Sequence, residues 1–291
     1  MKPTPFEYHL PQTLQEAVRN LHDFENARLL AGGQSLMPML NLRLAYPDHL
    51  IDLNGVAGLA YIREDGDAVA IGAMTAQRTI EFSDVIKRRL PLLSEAILSV
   101  GHRQTRNRGT LGGSLCHLDP AAELPLVAAA LDATIVVTGS AGERQVAMAD
   151  FAVDFMTPAI AADEIVTAIR FTPWRSGHGW AFAEFARRHG DFAIVAAAAL
   201  IELAPDGRIA RAALALGGVG AVPVRMSAAE RALVGNAPDP ELLARAATHC
   251  AAIDPLNDPL APAWYRRKLA PIFAQRVLAT ACRRAQGGAH D

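Results

Sequence analysis

The sequence predicts a two-domain protein in which α-helices and β-strands are mixed. The chain has 291 residues, 51% of them hydrophobic and 20% charged, which is typical of a folded protein large enough to bury more than one core. A short polar stretch from Thr172 to Gly179 interrupts the apolar pattern and indicates a domain boundary. Helical and strand periodicities both occur before and after this stretch. We therefore expect one domain over residues 1–175, with subdomains of about 1–56 and 57–175, and a second over residues 178–286.

The composition also excludes several classes of protein. The net charge of -2 gives no electrostatic reason to expect a nucleic-acid partner. Residues 1–10 lack the apolar core of a signal peptide, and the longest apolar run, Phe192–Ile201, is too short to span a bilayer. We therefore expect a cytoplasmic protein with no secretory signal and no transmembrane segment.

The spacing of cysteine and histidine argues against disulfides and metal centres. Cys116, Cys250 and Cys282 form no Cys-x-x-Cys pair, so we expect neither a disulfide framework nor an iron–sulfur cluster held by this chain alone. The 9 histidines contain no His-x-His or His-Glu-x-x-His spacing. The sequence therefore predicts no metal site.

The N-terminal residues, up to about 55, predict a small β-α-β-β unit. Thr13 and Glu16 form a capping-box pattern that begins a helix with an apolar face. Ala27–Ala31 is predicted to be a strand, and Pro38 is expected to limit any helix after it. A further strand over His49–Leu53 is followed by a turn-forming Asn-Gly pair. This unit is too small to be a complete doubly wound domain.

Later elements follow from the same periodicities. The second subdomain is predicted to contain strand Ala68–Ile71, helices over Thr75–Phe82, Leu90–Val100 and Asp119–Ala130, and strands Thr134–Thr138 and Glu164–Phe171. The second domain is predicted to contain three strands and then helices, namely strands Trp180–Ala186, Asp191–Leu203 and Ile209–Leu216 and a final long helix near Trp264–Arg284. A Pro-Asp-Gly turn at residues 205–207 predicts that the last two strands form a hairpin.

Two double-glycine segments are the strongest functional signal in the sequence. They are Ala31-Gly32-Gly33-Gln34-Ser35 and Thr110-Leu111-Gly112-Gly113-Ser114, and each combines bare backbone with a hydroxyl group. Because glycine has no Cβ, consecutive backbone N–H groups can surround the oxygens of a phosphate. Two such segments would suit a ligand with two phosphates, such as a dinucleotide, although paired glycines also make ordinary turns.

The same segments lack the residues that other nucleotide sites need. The sequence has no Gly-x-Gly-x-x-Gly fingerprint, and neither segment has a Walker lysine to meet a terminal phosphate. A pyrophosphate that is esterified on both sides needs less positive charge than a terminal phosphate. The segments therefore favour a dinucleotide such as FAD over ATP.

Several other residues each have two interpretations. Cys116 and His117, as neighbours in a strand, would point in opposite directions and form no catalytic pair, which leaves Cys116 as a small buried residue. His102 and His117 either bind a cofactor phosphate or ribose or have capping and surface roles. Glu123 either caps a helix or accepts a hydrogen bond from ribose or adenine. Phe192 either belongs to a solvated hairpin turn or covers a planar ring such as a flavin.

Longer strings resemble one family of flavoproteins over nearly the whole chain. The strings are Ala31-Gly32-Gly33-Gln34-Ser35-Leu36, Leu42-Arg43-Leu44, Leu50-Ile51-Asp52-Leu53, Gly101-His102, the run from Arg106 to Leu115, Asp119-Pro120-Ala121-Ala122-Glu123-Leu124-Pro125 and the run from Arg188 to Val195. They resemble the FAD-binding medium subunits of molybdenum hydroxylases, of the carbon monoxide dehydrogenase and xanthine dehydrogenase type. Together they are far more specific than either double glycine alone.

The resemblance implies a fold and a binding site. The fold would be α+β, with a vanillyl-alcohol-oxidase or PCMH-type FAD-binding domain of two α+β subdomains and a C-terminal domain of a three-stranded antiparallel sheet and helices. Gly32–Leu36 and Thr110–Ser114 would hold the FAD pyrophosphate. Glu123 would contact the adenosine side, and Ile165 and Phe192 would lie near the flavin. The implied FAD-binding set is Leu30, Ala31, Gly32, Gly33, Gln34, Ser35, Leu36, Val100, His102, Thr110, Gly112, Gly113, Ser114, His117, Glu123, Ile165 and Phe192.

The resemblance also implies partners and a reaction. A small subunit would carry two [2Fe–2S] clusters and a large subunit the molybdopterin cofactor, in a heterotrimer that dimerises. This chain would accept electrons from the clusters and pass them to quinone, NAD, ferredoxin or oxygen. Since the flavin carries the chemistry, no side chain is expected to be a catalytic acid or base. Two alternatives stay open: a stand-alone FAD-dependent oxidoreductase with its own organic substrate, and a flavin-free scaffold subunit.

Overall fold

The N-terminal part of the chain folds as a three-stranded parallel sheet with two helices. The computed structural model describes residues 2–287. The elements here are β1 (Glu7–His9), α1 (Leu14–Asp23), β2 (Ala27–Leu30), α2 (Leu36–Asn41) and β3 (His49–Asp52). β3 lies between β1 and β2 and runs parallel to both. Parallel strands need crossover connections, which α1 and α2 provide.

The predicted start of α1 is confirmed. Thr13 Oγ1 accepts a hydrogen bond from the Glu16 N–H at 3.2 Å, and Glu16 Oε2 accepts one from the Gln12 N–H at 2.8 Å. Two N–H groups at the helix start are thus satisfied by side chains. Ala17 and Val18 bury the apolar face of the helix, as its periodicity predicts.

The expectation that Pro38 limits a helix is wrong, because Pro38 is the third residue of α2. N–H groups in the first turn of a helix have no intrahelical partner, so a residue without an N–H is tolerated there. The N-terminal unit is therefore β-α-β-α-β rather than β-α-β-β. As a result, α2 begins directly after the first double-glycine segment.

A five-stranded antiparallel sheet follows. The strands of this region are β4 (Ile62–Asp65), β5 (Ala68–Gly72), β6 (Thr134–Gly139), β7 (Gly142–Ala147), β8 (Ala152–Asp154), β9 (Thr157–Pro158) and β10 (Ile165–Phe171). The sheet order is β4-β5-β10-β6-β7, and β8 pairs with β9. The predictions of β5, β6 and β10 are confirmed. β4 and β7 were not predicted; they lie at the sheet edges and carry charged side chains, as edge strands commonly do.

The helices of this region are shorter than expected. They are α3 (Gln77–Phe82), α4 (Asp84–Arg89), α5 (Pro91–Ala96), α6 (Arg103–Arg108), α7 (Leu111–His117), α8 (Glu123–Ala130) and α9 (Met148–Phe151). The predicted helix over Leu90–Val100 is reduced to α5. The helix predicted from Asp119 begins only at Glu123, because Asp119 Oδ1 accepts the Ala121 N–H at 2.8 Å and makes a turn instead.

The C-terminal part contains an antiparallel sheet and three helices. The elements are β11 (Gly179–Phe185), β12 (Val195–Leu203), β13 (Ile209–Gly217), β14 (Val224–Arg225), α10 (Ser227–Leu233), α11 (Pro240–Thr248) and α12 (Ala263–Ala285). The predicted hairpin of β12 and β13 is confirmed. The strand predicted from Asp191 starts only at Val195, and the two-residue β14 adds a fourth strand. Among the residues described, no helix is long and apolar enough to cross a bilayer.

The C-terminal sheet separates two hydrophobic cores. Along β12, Ala196 and Ala198 face a core shared with the five-stranded sheet and its helices. Ala197 and Ala199 face a second core formed with α10, α11 and α12. This alternation follows from the two-residue period of a strand. A third, smaller core lies under the N-terminal sheet and includes Ile165 of β10.

Candidate functional site

The first double-glycine segment connects the end of β2 to the start of α2. Gly33 has a φ of 72°, a left-handed value that favours glycine. Within the described part of the chain, the backbone N–H groups of residues 32–35 donate to no protein acceptor. Asn54 Nδ2 holds the start of the segment by donating to the Ala31 carbonyl at 3.0 Å. A row of consecutive N–H groups is therefore available to an acceptor on a ligand.

The second double-glycine segment is the first turn of α7 rather than a loop. Thr110 caps this helix, and its Oγ1 accepts the Gly113 N–H at 3.0 Å. The Leu111 and Gly112 N–H groups donate to the carbonyls of Thr75 and Ala73. The expectation that both segments offer free N–H groups therefore holds only for the first. Gly112 instead permits close packing, because a Cβ there would lie 2.5 Å from the Cβ of Ala73.

The two segments lie against each other and face one cleft. A Cβ on Gly32 would be 2.1 Å from the carbonyl oxygen of Arg108, just before the second segment, and a Cβ on Gly113 would be 3.4 Å from the Cβ of Ala31. The cleft has a volume of about 1470 Å³. Because pockets for drug-sized ligands measure about 300–1,000 Å³, this cleft is large enough for a dinucleotide.

Most of the residues singled out from the sequence line this cleft. They are Ala31, Gly32, Gly33, Gln34, Ser35, Leu36, Val100, Thr110, Gly112, Gly113, Ser114, His117, Glu123, Ile165 and Phe192. Leu30 lies instead in a small hollow beside the first segment, together with Arg108. His102 does not line the cleft but lies against Gly190: a Cβ added to Gly190 would be 2.6 Å from the Cε1 atom of His102. His102 is thus placed to support the turn that carries Phe192.

Comparison with known proteins agrees with this geometry. A family described as the FAD binding domain in molybdopterin dehydrogenase matches residues 4–174. The chain belongs to this family. The CO dehydrogenase flavoprotein C-terminal domain matches residues 180–281. The resemblance stated from the sequence strings is therefore confirmed, and the chain is a flavoprotein-family member.

Individual relatives are similar over almost their whole length. The chain is 39% identical to the 6-hydroxypseudooxynicotine dehydrogenase complex subunit alpha of Paenarthrobacter nicotinovorans, covering 98% of this chain and 97% of that one. It is 38% identical to the carbon monoxide dehydrogenase medium chain of Afipia carboxidovorans, covering 98% and 100%. A solved structure of carbon monoxide dehydrogenase from Hydrogenophaga pseudoflava matches with a TM-score of 0.95 at 37% identity, covering 98% and 99%. The α+β fold expected for this oxidoreductase family is thus confirmed.

Phe192 of the flavoprotein lies on an exposed turn at the cleft. The side chain is 60% exposed, although it is large and apolar. Gly190 has a φ of 83°, and the Asp191 N–H donates to the Arg188 carbonyl at 3.2 Å, so the turn has a defined shape. Arg187, just before the turn, connects the turn to the rest of the domain by donating from Nη2 to the Leu260 carbonyl at 3.2 Å. An exposed aromatic face at a cleft is suited to contact with a planar ring.

Two carboxyl groups that influence each other, the buried Glu123 and the half-buried Glu184, lie at the cleft. Burial raises the pKa of Glu123 to about 7, and the negative charge of Asp119 adds to this. Burial also raises the pKa of Glu184 on β11 to about 8, with a further contribution from the charge of Glu123. Glu184 Oε2 is buried and has no hydrogen-bond partner among the described residues. Both carboxyl groups therefore hold protons at a pH where most glutamates are ionised.

Replacing Glu184 by glutamine is expected to stabilise the protein at alkaline pH. The pKa of Glu184 is about 8 in the folded chain, against an ordinary value of 4.5, so the folded state keeps this proton longer than the unfolded state. The wild-type free energy of unfolding should then fall as pH rises through this interval, and the fall should be smaller in Glu184→Gln. Urea denaturation at about pH 6 and about pH 9 measures the difference.

The matched control is Glu241→Gln, since the Glu241 side chain on α11 is 90% exposed and makes only a long surface ion pair with Arg245. This control should lose stability between the two pH values as the wild type does. An equal loss in Glu184→Gln and Glu241→Gln would contradict the assignment of a raised pKa to Glu184.

Cys116 lines the cleft without the properties of a nucleophile. Burial raises the pKa of its thiol to about 12, so the reactive thiolate is scarce near neutral pH. Cys116 and His117 are neighbours in α7, not in a strand as expected, and adjacent residues on a helix also diverge. The conclusion that they form no catalytic pair is unchanged.

Several lining residues carried no signal in the sequence. Tyr46, Thr157 and Pro158 all border the cleft. Thr157 and Pro158 form β9, a strand too short to show a period. These residues come to the cleft from segments distant in the chain, and only the tertiary fold brings them there.

Proposed function

We propose that this chain is the FAD-binding, electron-transferring medium subunit of a molybdenum hydroxylase complex. The observation that carries the proposal is the row of free N–H groups at residues 32–35, which faces a cleft of about 1470 Å³. Such a row fits an internal pyrophosphate, which needs hydrogen-bond donors more than a full positive charge. Membership of the FAD-binding family over residues 4–174 supports the same ligand.

Specific residues would hold the FAD. Gly32, Gly33, Gln34 and Ser35 would donate their N–H groups to the pyrophosphate, and the Ser114 hydroxyl of the adjacent second segment also lines the cleft. Thr110 would act mainly through its cap on α7, since its Oγ1 already accepts the Gly113 N–H. Gly112 and Gly113 would leave the space that the ligand and the packed backbones need.

The carboxyl and aromatic residues would position the two ends of the cofactor. Glu123, with its raised pKa of about 7, would present a carboxyl group to the adenosine side. Ile165 is buried on β10 and Phe192 stands exposed on its turn; both line the cleft and would lie near the flavin. The bound flavin would supply one-electron and two-electron redox chemistry, which the side chains of this protein do not themselves provide.

The proposal includes partner subunits. The relatives are named as a complex subunit alpha and as a medium chain, which supports an assembly with a small [2Fe–2S] subunit and a large molybdopterin subunit. We further propose domains at 1–175 and 178–286, a dimerised heterotrimer in the cytoplasm, and quinone, NAD, ferredoxin or oxygen as the electron acceptor.

The visible absorption spectrum of the purified chain tests this proposal. We expect a flavin spectrum with about one FAD per chain, and no turnover of organic substrates until iron–sulfur and molybdopterin subunits are added. Absence of flavin after incubation with FAD would favour the scaffold alternative. Turnover by the chain alone would favour a stand-alone oxidoreductase. Either result would overturn the proposal.

A further inference from the structure

Three side chains with metal-binding atoms lie together on the N-terminal sheet, away from the cleft. His9 Nε2 and His49 Nδ1 are 3.1 Å apart. Glu7 Oε2 lies 3.6 Å from His49 Nδ1 and 4.0 Å from His9 Nε2. None of the three residues lines the FAD cleft. The cluster is therefore a separate feature of the molecule.

The strand register explains why these residues meet. Glu7 and His9 are two residues apart on β1, so their side chains leave the same face of the sheet. In the parallel pairing of β1 with β3, His49 stands opposite Glu7. Adjacent strands are about 4.8 Å apart, which brings the three side chains within reach of one ion.

The two imidazole rings are held in place by Phe24, which follows α1. The Phe24 ring stacks on His9 with centroids 4.4 Å apart and on His49 with centroids 4.5 Å apart. The histidine side chains are only 21% and 22% exposed, whereas Glu7 is 75% exposed and can adjust to a ligand. Two ring nitrogens are thus oriented in advance, a property that lowers the entropic cost of binding.

The three distances, of 3.1, 3.6 and 4.0 Å, bracket those between the ligands of a metal ion, and the two imidazoles are hydrogen-bonded to each other. Glu7 Oε2 is too far from either nitrogen for a hydrogen bond, which requires about 3.2 Å or less. Zinc bonds of about 2.0–2.2 Å place tetrahedral ligands roughly 3.3–3.5 Å from one another. The point in the plane of the three atoms that is equidistant from them lies about 2.1 Å from each, so a small shift of the exposed Glu7 side chain toward the histidines would bring the three ligands into a tetrahedral arrangement about one ion.

From this geometry we propose that Glu7, His9 and His49 bind a Zn²⁺ ion, with water as the fourth ligand. Two imidazoles and a carboxylate are a donor set that zinc accepts. The ion would cross-link β1 to β3 and so hold β1 to the N-terminal sheet. The same sheet contains β2, which leads into the first glycine segment. The expectation of no metal site considered only local histidine spacing, whereas His49 is 40 residues from His9 in the chain.

Isothermal titration of the untagged full-length chain with ZnCl₂ tests the proposal. We expect binding of one ion per chain, and weakening by more than about 100-fold in His9→Ala and in His49→Ala, because loss of a ligand should exceed the 10–100-fold cost of losing an outer-shell partner. Zinc should also raise the melting temperature of the wild type but not of His49→Ala. His22→Ala, which removes an exposed histidine outside the cluster, is the control and should bind as the wild type does.

Two further measurements keep the outcome clear. Glu7→Gln changes an exposed side chain and should fold normally, so its expected loss of affinity is independent of any folding defect in the histidine variants. FAD content should be the same with and without zinc, which separates this proposal from that of the electron-transfer function. Failure of the wild type to bind one equivalent of zinc, or equal affinity in wild type and His49→Ala, would refute the zinc site.

Discussion

Replacement of Gly32 by alanine is expected to lower the affinity for FAD by at least about 100-fold, because the loss of two hydrogen bonds to a charged phosphate group costs about 3 kcal/mol or more. A Cβ on Gly32 would lie 2.1 Å from the Arg108 carbonyl oxygen and 2.8 Å from the Cα of Gly109. Both atoms belong to backbone, so no side chain can rotate away to relieve the clash. The two segments must instead separate, which displaces the free N–H groups that would bind the pyrophosphate.

Titration of the flavin-free protein with FAD, followed by tryptophan fluorescence, measures this affinity. Gly220→Ala is the matched control, since the nearest atom to its new Cβ would be a side-chain carbon of Val224 at 3.3 Å. Circular dichroism of both variants verifies that they fold. Wild-type affinity in a folded Gly32→Ala protein would show that the first segment does not hold the cofactor.

Replacement of Arg266 by methionine is expected to lower the free energy of unfolding by about 3 kcal/mol, the lower end of the cost of removing one partner from a buried ion pair, because the Asp258 side chain is 34% exposed. Arg266 on α12 is only 2% exposed. Its Nη1 donates to the Gly218 carbonyl at 2.7 Å, and its Nη2 donates to Asp258 Oδ2 at 2.6 Å. A second Nη1 bond reaches the Ile194 carbonyl, at the end of the turn that carries Phe192. Methionine would leave these acceptors without a donor.

Urea denaturation provides the measurement, with Lys268→Met as the control. Lys268 is on the same helix but is exposed, so its replacement changes charge and length without removing a buried bond. The control should stay within about 0.5 kcal/mol of the wild type. A similarly small change in Arg266→Met would mean that water replaces the guanidinium and that the buried bonds contribute little.

The sequence predicted the fold best where signals were local. Thr13 and Glu16 predicted the start of α1 because a capping box lies within one turn of helix. The Pro-Asp-Gly turn predicted the β12–β13 hairpin for the same reason. The prediction from Pro38 was wrong because the cost of a proline in a helix depends on how far it lies from the first residue of the helix. The sequence contained no signal for where α2 begins. Edge strands such as β7 were not predicted because most of their side chains face solvent, so the strands lack the alternating apolar pattern of a strand that packs on a core.

For the site, the sequence identified the segments but not how they act. The double glycine at residues 112–113 has the composition of an anion-binding loop, yet the Gly112 N–H donates to the Ala73 carbonyl and the Gly113 N–H donates to Thr110 Oγ1. The raised pKa of Glu184 depends on burial beside Glu123, which is 61 residues away in the chain. Such properties arise from long-range packing, so no local pattern could predict them.

The alternating alanines of β12 limit how this protein can exchange parts with its relatives. Ala196 and Ala198 contribute to one core, and Ala197 and Ala199 to the other, so the strand belongs to both at once. Consider a chimera in which all residues after 180 come from a homologue. Unless the homologue has side chains the size of a methyl group at the positions of these alanines, α8 would be displaced, and with it Glu123, the first residue of α8. We therefore expect recombination among homologous genes to keep the parts of the chain before and after residue 180 together.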